Sequence, residues 1–262
     1  MSERDVLPIN SRVTKANALI KASYRLKLEE QRLILMCLAQ IDPREIVPKK
    51  ITIYADEYAR RFGLCKKSAY CQLRAVSKGF YQRDIYIQDP AKSRQSHIRW
   101  VQQVDYFDGQ GRVDLYFSDN IKLYLGKLTG DFSSYYLENV AGLSSNYSIR
   151  LYEMIAQWSD IRNEIELPLA EFRDRLLLTG KYATFDNLRR RVIEPALLDL
   201  NRKSNLDVNW QSIRRGRKVE RLRFAFRLKE ILRHVSTTGR IGRLHPGHSA
   251  MYSDGRIPGS LF

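Results

Sequence analysis

A basic helix followed by paired strand runs, and the recurrence of that order in the second half of the chain, predict an α+β fold: two tandem winged-helix (winged helix-turn-helix) domains related as an internal repeat. A third observation, a formal charge of +16 from 45 Lys and Arg against 29 Asp and Glu, points such a fold at a polyanion. With 262 residues, 44% of them hydrophobic and 11% aromatic, the chain is long enough for two domains and too apolar for disorder to be its main state. The expected divisions are an N-terminal winged-helix domain over 1–141, a C-terminal one over 142–235, and a flexible tail over 236–262 in which Gly, Ser, Thr and Pro dominate.

The elements of the first half follow from periodicity. Residues 17–20 and 29–41 read as helices; in the second, Leu33, Ile34, Cys37, Leu38 and Ile41 keep helical spacing and Asp42-Pro43 ends it. Residues 51–53 alternate like a short strand, and 55–62 form a helix with Gly63 in a C-cap position. In 66–80 the apolar residues Ala69, Leu73, Val76 and Phe80 share one helix face, and the opposite face carries Lys67, Tyr70, Cys71, Arg74 and Lys78. Strand-like runs at 84–88, 97–106 and 112–117 follow, the last two joined by the turn Asp108-Gly109-Gln110-Gly111.

The second half repeats this order. A helix at 148–158 leads to a strand at 165–167, and aligning 51–64 with 165–178 matches Ile51 with Ile165, Glu57 with Glu171, Arg61 with Arg175 and Leu64 with Leu178. Leu73-Arg74 and Leu188-Arg189 fall at nearly the same offset. The helix over 185–201 points Leu188, Val192 and Ala196 inward and sets Asn187, Arg190 and Glu194 on another face; Pro195 should loosen the turn behind it. Strands at 206–210 and 219–228 are joined by Arg214-Arg215-Gly216-Arg217-Lys218, a basic wing.

The charge is concentrated: residues 185–227 hold 12 cations against 5 carboxylates, whereas 89–184 hold 11 against 13. A solubility device would scatter it, so a basic binding face is expected, mainly within 185–227. The longest apolar run, 33–39, has seven residues, against roughly 18 to 20 for a membrane span, so no membrane partner is expected. The N-terminus has no apolar signal-peptide core and three cysteines cannot all pair, which makes a reducing, cytoplasmic location the expectation.

Several motifs, in order, resemble the iteron-binding replication initiators (Rep proteins) of theta-replicating bacterial plasmids. They are Asn17-Ala-Leu-Ile20 with Ala22-Ser-Tyr24 and Glu30-Gln-Arg-Leu-Ile34; Asp131-Phe-Ser-Ser-Tyr135 with Leu137-Glu-Asn139; Tyr147-Ser-Ile-Arg-Leu-Tyr-Glu153 with Trp158; and Leu188-Arg-Arg-Arg-Val192 running on to Glu194-Pro-Ala196 and Asn201. The resemblance implies binding of short direct repeats in double-stranded DNA at a plasmid origin, opening of adjacent AT-rich DNA, and loading of the host replication initiator and helicase. It also implies a dimer, in equilibrium with the monomer, that represses its own promoter from an inverted repeat.

Guanidinium groups can pair with guanine O6 and N7, and amides with adenine N6 and N7. By position on the family's second recognition helix, Arg190 is the first candidate for reading a base, with Arg189, Arg191 and Asn187 beside it; pairing of these arginines with Asp186 or Glu194 is the competing use. Arg214, Arg215, Arg217 and Lys218 suit phosphates, which set register without reading sequence. On the first module Lys66, Lys67, Tyr70, Arg74 and Lys78 form the corresponding face, with phosphate binding expected because no adjacent arginine pair is present.

No enzyme, cofactor or metal is expected. The histidines His97, His234, His245 and His248 form no His-x-His pair for nicking, and Gly180-Lys181 has Arg175 where a P-loop needs Gly and Tyr182 where magnesium needs Ser or Thr. Cys65 and Cys71 lack a second pair for zinc. Tyr135, Tyr136 and Tyr147 sit among apolar residues and are expected to pack. A transcriptional repressor that only occupies an operator is the alternative reading.

Overall fold

The chain begins with β1 (Arg12–Ala16), α1 (Asn17–Lys21), β2 (Ser23–Tyr24) and α2 (Leu28–Leu38), then β3 (Ile51–Tyr54), α3 (Ala55–Phe62) and α4 (Lys66–Gly79). Strands β4 (Asp84–Asp89), β5 (Arg94–Arg99), β6 (Val101–Phe107) and β7 (Arg112–Phe117) follow, then α5 (Asp119–Lys122), β8 (Phe132–Tyr136), α6 (Glu138–Ala141) and α7 (Asn146–Ala156). The rest is β9 (Glu164–Pro168), α8 (Leu169–Arg175), α9 (Phe185–Leu188), α10 (Glu194–Lys203), β10 (Leu206–Arg215) and β11 (Lys218–Leu228). This computed structural model describes residue 8, residues 11–89 and residues 93–229; the segment 236–262 lies outside the described residues.

Two winged helices, WH1 and WH2, are evident in the sheets. β3, β7 and β6 form one three-stranded sheet in that order, and β9, β11 and β10 form another, so each hairpin sends its second strand back beside the strand that precedes the helix-turn-helix. Ile51 faces Leu115 and Ile53 faces Val113 in the first; Ile165 faces Phe224 and Leu167 faces Leu222 in the second. All eight side chains are buried. Both strands enter their helices without a linker, Tyr54 into Ala55 and Pro168 into Leu169. The helices also close alike: the Leu64 N–H donates to Ala59 O (2.8 Å) and the Leu178 N–H to Arg173 O (3.0 Å). Each bond needs a left-handed residue just before it, supplied by Gly63 at φ 62° and by Leu177 at φ 47°.

The run 97–106 is two strands, not one. β5 pairs with β4 in a sheet of order β2-β4-β5, while β6 pairs with β7. The break is at Trp100, which is fully buried, stands edge-on to Tyr24 at 5.1 Å, and is followed by buried Val101. The Trp100 N–H donates to Arg83 O (3.3 Å) just before β4, while its carbonyl accepts from the Ser118 N–H (3.1 Å) just after β7, so the chain crosses from one sheet to the other at this residue. Helix α2 stops at Leu38, ahead of Asp42-Pro43, where Asp42 Oδ1 accepts the Arg44 N–H in a side-chain-closed turn. Helix α2 is buried along its length, Glu30, Gln31 and Arg32 included, as the central helix of the N-terminal half.

A two-stranded ribbon of β1 and β8 was not legible as strands, because it is buried on both faces and its buried residues include Thr14, Lys15 and Ser133. Tyr135 faces inward there, as expected, but Tyr136 is 43% exposed beneath the Arg12 guanidinium, 5.2 Å away. Neighbours on a strand point to opposite faces. Helix α7 joins the halves: it packs on α10 and on α1, and Arg150 donates to Ile20 O, Ala22 O and Arg175 O.

Candidate nucleic-acid interface

The arginine-bearing helix of WH2 is interrupted where its arginines lie. Thr184 caps α9 by accepting the Asn187 N–H (3.3 Å), and Phe185 rests 6.2 Å from Trp210 of the wing sheet, which fixes the entry of the helix. Residues Arg189–Ile193 then form a π-helical turn in which the Glu194 N–H reaches back to Arg189 O. Pro195 follows at the start of α10. It has no N–H for the Arg191 carbonyl and its ring crowds that carbonyl, so the wider turn absorbs the mismatch. Leu188, Val192 and Ala196 face inward, as the spacing predicts.

The exposed side carries the charged groups. Asp186 bridges Arg189 (2.7 Å) and Arg190 (2.8 Å), and Arg189 also meets Glu194 at 3.3 Å. Asp186 is consequently held below the usual carboxylate range, chiefly by the Arg189 hydrogen bond. Arg190 keeps 63% of its side chain exposed. Arg191 is exposed and forms no ion pair among the described residues; Asn187 is half-buried. The competing use of the arginines is thus real for Arg189 and Arg190.

The wing is different. Arg214, Arg215, Arg217 and Lys218 are all exposed around Gly216 (φ 60°) and pair with no carboxylate among the described residues. Arg215 stands opposite Lys218, a like-charged cross-strand pair that a counter-anion would relieve. Further down the same hairpin the cations are spent internally: Arg221 and Arg223 hold Glu166 (3.2 and 2.5 Å), and Arg227 holds Asp207 (2.8 Å). Position in the hairpin therefore separates available from occupied cations, and only the available ones lie at the tip.

In WH1, α4 exposes Lys66, Lys67, Arg74 and Lys78, with Cys71 among them; Lys66 lies 3.7 Å from Asp56. Tyr70 is half-buried and packs where a side chain on Gly111 would be, so it braces the helix against the β6–β7 turn. That turn is not basic: Arg112 stacks on Phe107 at 3.7 Å, and Asp105 and Asp108 flank it. The two modules thus share topology but not wing charge. No group of three or more His, Cys, Asp or Glu positioned for a metal occurs among the described residues, and no helix among them is long and apolar enough to cross a membrane.

Residues 12–156 match a family model described as "Initiator Replication protein, WH1", and residues 168–226 match one described as "Initiator Rep protein, WH2". A replication initiation protein of Escherichia coli is 29% identical over 224 residues, covering 82% of this chain and 69% of the relative. An uncharacterized 27.6 kDa protein of Escherichia coli is 24% identical over 211 residues, covering 74% and 87%. Among solved structures, the Pi initiator protein in complex with iteron DNA superposes with a TM-score of 0.73 at 23% identity, covering 86% of this chain and all of that one, which establishes the shared fold. By the match that spans more than half of its length, and by the second match that follows in order, the chain belongs to the initiator replication (Rep) protein family.

Proposed function

We propose that this protein initiates replication of a plasmid by binding short direct repeats (iterons) in double-stranded DNA at the origin, without a catalytic step of its own. The carrying observation is the pairing, in WH2, of an arginine-bearing reading helix with a wing tip whose four cations are unpaired among the described residues. The helix offers base-reading groups and the wing offers phosphate clamps. WH1 adds Lys66, Lys67, Tyr70, Arg74 and Lys78 as a second, phosphate-holding surface, and two linked modules raise the effective concentration of each at the other's site. Binding of iteron DNA by the Pi initiator, which shares the fold, favours the same ligand class here.

In this reading the first module runs to residue 141 and the second covers 142–235, so that α7 opens the second, where it packs on α10 as well as on α1 of the first. A dimer repressing its own promoter from an inverted repeat, and contacts with the host initiator and helicase, complete the proposal.

The test is binding to DNA flanking the gene against a shuffled fragment of equal length, across a salt series, with Arg190→Ala in parallel. The expected result is a preference of about 10³-fold or more, reduced in the variant, with affinity falling on the order of 10³-fold between about 50 and 200 mM salt. Equal binding to both fragments overturns it. Preference confined to an inverted repeat, with none for direct repeats, would leave a transcriptional repressor.

A further inference from the structure

We infer that Asp186 is a positioning residue for base recognition: it holds Arg190 in one pose for the groove while repelling phosphate from the same spot. The inference rests on the reading of α9 and the turn after it as the element that enters the groove.

Each oxygen of the Asp186 carboxylate serves a different arginine. Oδ1 accepts from Arg189 Nη2 at 2.7 Å, and Oδ2 faces Arg190 Nη2 at 2.8 Å. The spacings, three and four residues, are those at which side chains meet on one helix face. The two arginines are not held alike. Arg189 is also engaged at Nη1 by Glu194, 3.3 Å away, so its fork is gripped from both ends by carboxylates. Arg190 has an ion pair at one nitrogen, to Asp186, and is 63% exposed, which leaves other N–H donors of its guanidinium accessible to a ligand. A guanidinium pinned at one edge and open at the other is prepared for a bidentate acceptor, because less side-chain freedom remains to be lost on binding.

The carboxylate has a second effect. At the first turn of the reading helix Asp186 is 52% exposed and sits between Arg189 and Arg190. An arginine cluster without it would attract any phosphate. A negative charge there penalises a DNA backbone that slides into the site and leaves base edges as the tolerated partners. The Asp186–Arg190 pair is solvent-exposed, so its removal should alter recognition far more than folding.

The test compares wild type, Asp186→Asn, Asp186→Glu, Arg190→Ala and the Asp186→Asn/Arg190→Ala double variant. Each is titrated with the DNA flanking the gene and with the shuffled fragment, and its thermal midpoint is recorded. Asp186→Asn is expected to tighten binding to shuffled DNA and to lower the preference for native DNA about tenfold, at an unchanged midpoint. Asp186→Glu should restore part of the preference, and Asp186→Asn should change the preference little once Arg190 is absent. An unchanged preference in Asp186→Asn, or equal weakening on both fragments, overturns the inference while leaving the proposed function standing. A wild type that does not discriminate overturns the proposed function, and this inference with it.

Discussion

Lys15 Nζ lies 2.5 Å from Glu153 Oε1, and the two side chains are 1% and 0% exposed. They belong to β1 and α7, 138 residues apart in the chain. Glu153 also accepts from Tyr135 (2.7 Å), from Tyr24 (3.3 Å) and from Arg150 (3.1 Å), while Arg150 Nη1 donates to the Tyr24 hydroxyl at 2.6 Å. Burial alone would raise the Glu153 pKa; Lys15 and Arg150 outweigh it and hold the carboxyl below its ordinary value. One carboxylate therefore balances two buried cations, at the place where α7 meets the N-terminal half.

Removing Glu153 should cost much more than removing Lys15. Glu153→Leu strands both cations in a dry site, a change that typically costs about 3–5 kcal/mol. Lys15→Met leaves Glu153 paired with Arg150 and should cost less. Urea unfolding of the two variants checks the order, and a Lys15→Met that costs as much as Glu153→Leu would show that Arg150 does not compensate. The same carboxylate sets a limit in acid. Because its folded pKa is depressed, its contribution is present above the unfolded value of about 4.3 and is lost as pH falls through the folded value. Wild type should thus lose stability below about pH 4, and Lys15→Met at a higher pH than wild type.

The wing tip should behave as a phosphate clamp. Arg215→Ala and Arg217→Ala, taken singly, are expected to weaken native and shuffled DNA alike and to lower the salt slope by about 1 each. Arg223→Ala, whose guanidinium already holds Glu166 at 2.5 Å, should change the slope little. The check is the slope of log affinity against log salt for the three variants. Equal slopes for Arg217→Ala and Arg223→Ala would contradict the division between tip and base of the hairpin.

The repeat is legible from sequence because strand and helix adjoin at the same relative position in both modules, so that Ile51, Leu64, Ile165 and Leu178 occupy equivalent places. Leu64 and Leu178 match because each follows a left-handed cap. The arginine-bearing helix and the basic hairpin of WH2 are legible for a similar reason, since helical spacing and a Gly between basic residues are local signals. What is not legible is set by distant partners. Lys15 is buried only because Glu153 meets it, and Trp100 divides a strand only because Tyr24 and the core receive its ring. The tethering of Arg189 and Arg190 lies between these cases: Asp186 at three and four residues signals the pair, but which arginine keeps free donors depends on the conformation of Glu194 after the π turn.

Leu177 stands where the first module has Gly63, in the same left-handed conformation. A side chain other than Gly there costs roughly 1–2 kcal/mol. Leu177 is half-buried rather than fully packed, so little apolar burial offsets the strain. Leu177→Gly should therefore leave stability unchanged or raise it by up to about 1 kcal/mol, whereas Gly63→Leu should lower it by a similar amount or more. Denaturant midpoints decide the matter. A clear loss in Leu177→Gly would mean that the leucine side chain contributes packing that its exposure does not reveal.

The π turn makes the last prediction. Pro195→Ala restores the N–H that the Arg191 carbonyl lacks and removes the ring that crowds it, so the helix can return to α register from Leu188 through Ala196. That change deletes a local insertion of one residue, which turns everything before it by about 100° relative to α10. The core opposes the rotation, because Leu188 and Val192 must stay inward. The conflict is settled by a partial change of phase, in which the core side chains repack and Arg189, Arg190 and Arg191 turn with them. Pro195→Ala is thus expected to keep the fold and the salt dependence but to lose about tenfold or more in preference for native over shuffled DNA. Amide-to-amide NMR contacts across residues 188–196 would report the register, and a variant that becomes α-helical yet keeps full preference would show that the π turn has no part in aiming the arginines.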